Sequence, residues 1–344
     1  MTSASPSSET VFGSGDYRYQ AVADWPQLPA GWSFVEVVGV AVDSRDRVFV
    51  FNRGEHPIIL FEPDGTFRGA WGEGLFNNPH GITIGPSDEV WLTDYKEHTV
   101  RKFTADGKLL MTLGQSNSPS DTGIQGMDYR TIRQPGGPFN MPTNLAFAPS
   151  GEFYISDGYG NSRVHKFSAD GKLLFSWGTP GDGPGEFNLP HGIAVDRQGR
   201  VYVADRENSR IQVFTPDGKF LAVWTDTSRP MQIYFDRDDR AFVCDVGFRA
   251  GLFPWQSAPP APIPPATVRV FDLNGQVLSK FGGGDDPCAL GNFYAPHGIC
   301  VDSTGAIYVG EVTMSAGGYR GLVSADCHTL QKFVPVHYNS PDKN

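Results

Sequence analysis

Three of the eight histidines occupy one recurring position. His80, His191 and His297 each follow a proline and precede a glycine, and 14 residues after them stand Asp94, Asp205 and Glu311. Three neutral imidazoles arriving from different directions can hold a divalent metal ion and leave a position open for water or substrate, which describes a catalytic zinc site. The same donors also suit iron, copper, nickel or cobalt. Two arginines share a second recurring position: Arg53 directly follows Asn52, and Arg206 directly follows Asp205. Facing a metal, they would bind a carboxylate through bidentate charge-assisted bonds. Tyr159, in Ser156-Asp157-Gly158-Tyr159, falls on the same side, where nearby cations would lower its pKa and let it serve as base. Each feature has a plainer alternative. Pro-His-Gly can simply start a strand, the arginines can form salt bridges between repeats, and the tyrosine can be a cavity wall. His56, His98, His165, His328 and His337 share no position, which points to surface or packing roles.

These positions belong to a phrase that recurs six times. An apolar alternating run is followed by an Asp, a turn, a second run, and then Asn52, Asp94, Asp157, Asp205, Asp245 or Glu311. The residues equivalent to the three histidines are Val38, Thr143 and Met231. The second half of each phrase reads as a strand, an Asp-Gly or Asn-Gly turn, and another strand, as in Val164–Phe167, Asp170-Gly171 and Leu173–Trp177. Asp-Gly between alternating apolar runs is a strong hairpin signal. Four antiparallel strands per repeat and six repeats predict an all-β, six-bladed propeller. The last repeat lacks its fourth strand, and Tyr17–Ala23 is expected to supply it and close the ring. One domain is predicted over residues 17–338, with polar tails at 1–16 and 339–344.

In such a ring the histidines fall on alternate blades, at the entry of the innermost strand, about 120° apart. Four long insertions, Gln115–Met141, Val246–Thr267, Gly283–Ala295 and Val312–Thr329, all lie at the strand ends that share the histidines' face. Long loops gathered at one end of a rigid scaffold usually carry function. The Pro-rich stretch 254–265 reads as a stiff surface loop.

Composition narrows the class. Among 344 residues there are 41 Gly and 27 Pro, which would break the long helices of a bundle. The net charge of −10 disfavours nucleic acid or an anionic membrane as partner. No apolar run approaches the ~18 residues of a membrane helix, and the N-terminus shows no basic stretch followed by an apolar one. The cysteines, Cys244, Cys288, Cys300 and Cys327, lack metal-ligand spacing. A reduced, cytoplasmic monomer is expected, with the pairing of Cys288 and Cys327 left open.

The repeat resembles the NHL type. Within it, Ser156–Val164 (SDGYGNSRV), Ala204–Phe214 (ADRENSRIQVF), Arg53-Gly54 and the three Pro-His steps resemble peptidyl-α-hydroxyglycine α-amidating lyase. The resemblance implies zinc on His80, His191 and His297, Tyr159 as catalytic tyrosine, and Arg53 and Arg206 as active-site arginines. The implied reaction splits an N-acyl hemiaminal into an amide and glyoxylate, from a small-molecule or peptide C-terminal substrate bearing a carboxylate. There are departures. Ala295 and Gly298 stand where the family has a methionine and an acidic calcium ligand, which puts a structural calcium in doubt. Gly160 and Val213 replace the family's disulfide cysteines. The rival expectations are a metal-dependent hydrolase or hydratase on the same three histidines, and a non-enzymatic propeller that binds a protein partner.

Overall fold

The computed structural model describes residues 10–250 and 259–336. Its hairpins form where the sequence places Asp-Gly or Asn-Gly. At Gly171 the backbone turns with φ +87°, a region that a residue without Cβ enters freely. Six sheets of antiparallel strands result, each running from an inner strand to an outer one. The inner strands are Val37–Val42, Pro79–Ile84, Pro142–Phe147, Pro190–Val195, Pro230–Phe235 and Pro296–Val301, for blades 1 to 6. The predicted six-bladed propeller is therefore the fold.

Closure also follows the expectation, with an addition. Tyr17–Val22 pairs with Leu330–Pro335 and completes blade 6, matching Gln20 to Val334. Val11–Ser14, expected within a polar tail, instead forms a fifth strand against Tyr17–Val22. The reason is local: Gly15-Asp16 supplies a tight turn, and Phe12 packs edge-on to Phe333. The backbone N–H of Ser14 donates to Ser279 Oγ of blade 5 at 2.9 Å. One hairpin thus covers the open edge of blade 6 and touches blade 5.

Apolar side chains fill the spaces between blades. Phe153 stacks on Phe167, with centroids 5.3 Å apart. Tryptophans ending the outer strands cover the hairpin turns of the next blade, and Trp71 Nε1 donates to Ala105 O at 3.2 Å. Removing a fully buried aromatic such as Phe153 costs about 3–5 kcal/mol. Around the axis, Val40, Ile82, Leu145, Ile193, Ile233 and Ile299 are all buried. Each stands two residues after the histidine position and packs into the apolar layer between blades, and the inner strands enclose an axial cavity of about 220 Å³.

The insertions support the histidine face unequally. Val312–Thr329 folds into a short helix, Thr313–Ala316, and a turn at Gly318–Arg320. Gly283–Ala295 stands behind it: Asn292 O accepts from Gln331 Nε2 at 2.8 Å and from His328 Nε2 at 3.1 Å. Cys288 and Cys327 form a disulfide between these two insertions, while Cys244 and Cys300 are buried free thiols. Such a bond is uncommon in the reducing compartment expected from the cysteine spacing. Part of the Pro-rich stretch, residues 254–258, lies outside the described residues.

Candidate metal and anion site

The histidines reach the axis because each sits on a bulge. Pro190 pairs with Asp205 and Gly192 with Ala204, which leaves His191 as the extra residue. His297 is extra in the same way. A bulge twists the strand and re-aims its side chain. The entry is pinned by the repeated acid at the end of strand two. Asp94 accepts the backbone N–H groups of Asn77 and Asn78, and Glu311 those of Tyr294 and Ala295. The following glycine allows close approach: a Cβ at Gly192 would lie 2.5 Å from Met231 O, and one at Gly298 2.7 Å from Gly39 Cα. Gly298 therefore has no room for an acidic side chain.

The ring itself is nearly regular. Centroid separations are 4.7 Å for His80–His191, 4.6 Å for His80–His297 and 4.7 Å for His191–His297. Each Nδ1–H donates to the backbone carbonyl at the equivalent position of the next blade. The pairs are His80 to Thr143 at 2.7 Å, His191 to Met231 at 2.8 Å, and His297 to Val38 at 2.6 Å. This explains the alternation. In odd blades it is the backbone carbonyl that orients a histidine, which Val38, Thr143 and Met231 all supply. With Nδ1 protonated, Nε2 carries the lone pair, the tautomer a metal ligand needs.

Burial keeps these rings neutral. Desolvation, then the charges of Arg53 and Arg206, pushes His297 down to about 3. Desolvation, followed by the neighbouring ring histidines, lowers His80 and His191 well below the usual value. The Oη of Tyr159 lies 3.3 Å from His80 Nε2 and 3.2 Å from His191 Nε2. One hydroxyl proton cannot serve both lone pairs. One ligand atom from each histidine lies within 4.8 Å of the others. A buried surplus of nitrogen lone pairs fits a divalent cation.

Above the histidines stands a second ring, made by residues that follow strand two. Arg53, Tyr95, Tyr159, Arg206, Val246 and Val312 all line a cavity of about 290 Å³. In blade 3 the tyrosine is displaced one residue by Gly158. Blades 1 to 4 thus give a polar wall, and blades 5 and 6 an apolar one. Tyr95 was missed in the sequence, although it occupies the same repeat position as Arg53 and Arg206. It packs on Tyr159 with centroids 5.2 Å apart, and burial pushes its phenol up to about 12.

The sequence-predicted residues converge here, each arginine held by a carboxylate. Arg206 is 4% exposed; its Nε donates to Glu207 Oε1 at 2.6 Å and its Nη1 to Tyr159 Oη at 3.4 Å. Glu207 also accepts from Arg229 Nη2 at 2.8 Å, so one buried carboxylate bridges two guanidinium groups. Across the ring, Arg53 donates to Glu36 Oε1 at 2.8 Å and to Pro79 O at 2.9 Å. Glu36 Oε2 accepts Ser315 N–H at 2.7 Å, which ties the short helix to the wall that carries Arg53. Of the other histidines, His165 is buried between Asp157 and Ser176, and His56 stacks on Trp32. Both are packing roles. His337 lies outside the described residues.

Comparison with known proteins agrees with this architecture. The NHL repeat family matches residues 76–103, 139–167 and 187–214. NHL repeat-containing protein 3 of Homo sapiens is 31% identical over 94% of this chain and 86% of its own length. Peptidyl-alpha-hydroxyglycine alpha-amidating lyase 1 of Drosophila melanogaster is 31% identical over 78% of this chain, which spans half of that relative. Among solved structures, a gluconolactonase of Xanthomonas campestris superimposes with a TM-score of 0.59 at 15% identity, over 93% of this chain and 90% of that one. The last is a likeness of fold.

Proposed function

The chain belongs to the NHL-repeat family that includes human NHL repeat-containing protein 3, and from that premise we propose that it is a metal-dependent lyase. Its reaction would cleave the C–N bond of a small anionic or peptidyl α-hydroxy substrate. The observation that carries this reading is the meeting of three Nε2 atoms with Tyr159 Oη and Arg206 in one buried place. The lyase-named relative supports the reaction class.

A divalent ion, with zinc best suited to three imidazoles, would supply Lewis-acid polarisation of the substrate hydroxyl. Arg206 and Arg53 hold the carboxylate from opposite sides of the ring, and their glutamate partners fix both guanidinium planes. Tyr159 would act as the phenolate, with its own proton lost before the cycle, and its Oη takes the hydroxyl proton. The carbon–oxygen double bond forms, the C–N electron pair leaves with nitrogen, and the proton passes from Oη to that nitrogen. One hemiaminal gives one amide and one aldehyde, and no water is consumed. Val246 and Val312 give the cavity an apolar side that lowers the local dielectric and strengthens each charge interaction.

Metal analysis and product identity test the reading together. The protein should carry about one ion per chain, and the His80→Ala/His191→Ala/His297→Ala variant less than about 0.2. An N-acyl-α-hydroxyglycine should yield glyoxylate and the primary amide. Recovery of the acyl group as a carboxylic acid, or a metal-free active protein, would overturn it.

A further inference from the structure

The last insertion forms part of the wall of the inner cavity. Val312, Ser315, Ala316 and Arg320 line it, and Ser315 N–H holds Glu36, which in turn holds Arg53. Beyond the short helix an arm, residues 317–326, is tied down sparsely. Among the described residues, every hydrogen bond of the arm ends on a residue of the same insertion. Tyr319 and Leu322 are exposed, and Val323 gives the arm an apolar contact with the core. Leu322 shares a cavity of about 360 Å³ with Asp285, Pro287 and Tyr294 of the neighbouring insertion, so the two segments do not interlock there. The Cys288–Cys327 disulfide spans this junction. Cys327 is buried and Cys288 half-buried, which leaves the Cys288 side open to a reductant.

We propose that Cys288–Cys327 is a redox-sensitive latch on this wall. Oxidised, it holds the arm and the short helix against the site; reduced, it lets them open and weakens carboxylate binding at Arg53. A dithiol reductant balances the step. One of its thiolates attacks Cys288 Sγ, Cys327 leaves as thiolate and takes a proton, and the second reductant thiol then releases Cys288. Two electrons and two protons pass to the protein, and the reductant becomes a disulfide. The base of the insertion stays closed without the bond: Glu311 N–H donates to Thr329 O at 2.8 Å, and Thr313 Oγ1 to His328 O at 3.2 Å. Reduction therefore frees the arm and leaves blade 6 paired, because a segment with few outside contacts opens locally at low cost. The inference rests on the lyase reading for what the cavity binds, and the latch itself is read without turnover.

Limited trypsin digestion and calorimetry test this on the metal-loaded protein, oxidised and after dithiothreitol treatment and gel filtration, with metal content matched by elemental analysis. Arg320 is exposed on the arm. Cleavage after it should speed up about tenfold or more on reduction and slow again on reoxidation. N-acetylglycine, a carboxylate without the reactive hydroxyl, should bind about fivefold more weakly to the reduced protein. Cys288→Ser/Cys327→Ser, which keeps both buried free thiols, should behave as the reduced form and ignore the dithiol. Affinity that is equal in the two redox forms, or absent from both, overturns the latch whatever the cleavage rate. So does a dithiol response that persists in the double variant. Turnover separates the two claims. Redox-dependent cleavage and binding without glyoxylate release keeps the latch and removes the lyase. Glyoxylate release with identical binding in both forms keeps the lyase and removes the latch.

Discussion

The two ends of the propeller axis are built from the same repeats and differ in what their polar groups are left to do. At the end opposite the histidines, a wider cavity of about 620 Å³ is rimmed by Asp43, Asp46, Asp88, Asp236 and Asp302. Those carboxylates are already engaged in local turns. Asp43 accepts the N–H groups of Arg45 and Arg47, Asp302 those of Thr304 and Ala306, and Asp88 holds Ser44 of the neighbouring blade. At the histidine end the cavity is smaller, but its lone pairs and guanidinium groups converge and are buried. Volume and charge count therefore do not mark the candidate site. The convergence of three buried imidazole ligand atoms is what sets the histidine end apart.

The strongest way to break this contrast is to remove a ring histidine. His191→Ala should lose its metal and lower turnover by at least about 10³-fold, read by elemental analysis and glyoxylate release. An equal loss from Asp88→Ala would void the distinction between the two ends. Next in size is the bridging carboxylate. Glu207→Gln leaves Arg206 and Arg229 buried without their shared anion and should cost about 3–5 kcal/mol in urea unfolding. Unchanged stability would mean that the arginines repair each other's environment through partners beyond Glu207. Asp88→Ala at the other end should cost about 0.5–1 kcal/mol and leave turnover intact, since it removes hydrogen bonds near water.

The smallest effect concerns His328 behind the short helix. Burial pulls its pKa down, but the hydrogen bond and charge of Glu311, 3.1 Å away, more than offset this, and the net shift is upward. A histidine raised in the folded state contributes stability that is full below about pH 6.5 and is lost as pH rises through the folded value. Wild type should therefore lose up to about 1 kcal/mol more between pH 6 and 8.5 than His328→Gln, followed by thermal unfolding. Identical pH profiles would show that the ion pair adds nothing to this face.

Much of the site was legible because a repeat converts sequence position into spatial position. The 14-residue interval from His80 to Asp94, repeated at His191 and His297, placed three imidazoles on one ring. The Asn/Asp-Arg step placed Arg53 and Arg206 on another. Tyr95 lay in the same register and was overlooked, since a lone tyrosine carries no motif of its own. Glu36 and Glu207 could not be assigned from the pattern, because what they hold is decided by side-chain contacts across loops. Val11–Ser14 reads as part of a polar tail because four residues, Val-Phe-Gly-Ser, are too few to show a period until a partner strand is beside them.

What the sequence determined by itself was the periodic part: six blades, the closing strand, and which residue types face the axis, because turn chemistry and alternation are local. What the tertiary structure alone decided was the relation between blades. It showed that each ring histidine is oriented by the backbone carbonyl of the next blade, that one glutamate bridges two buried arginines, and that Cys288 and Cys327 join two insertions. These depend on groups far apart in sequence meeting within about 3 Å, and no local pattern encodes a hydrogen bond between two repeats.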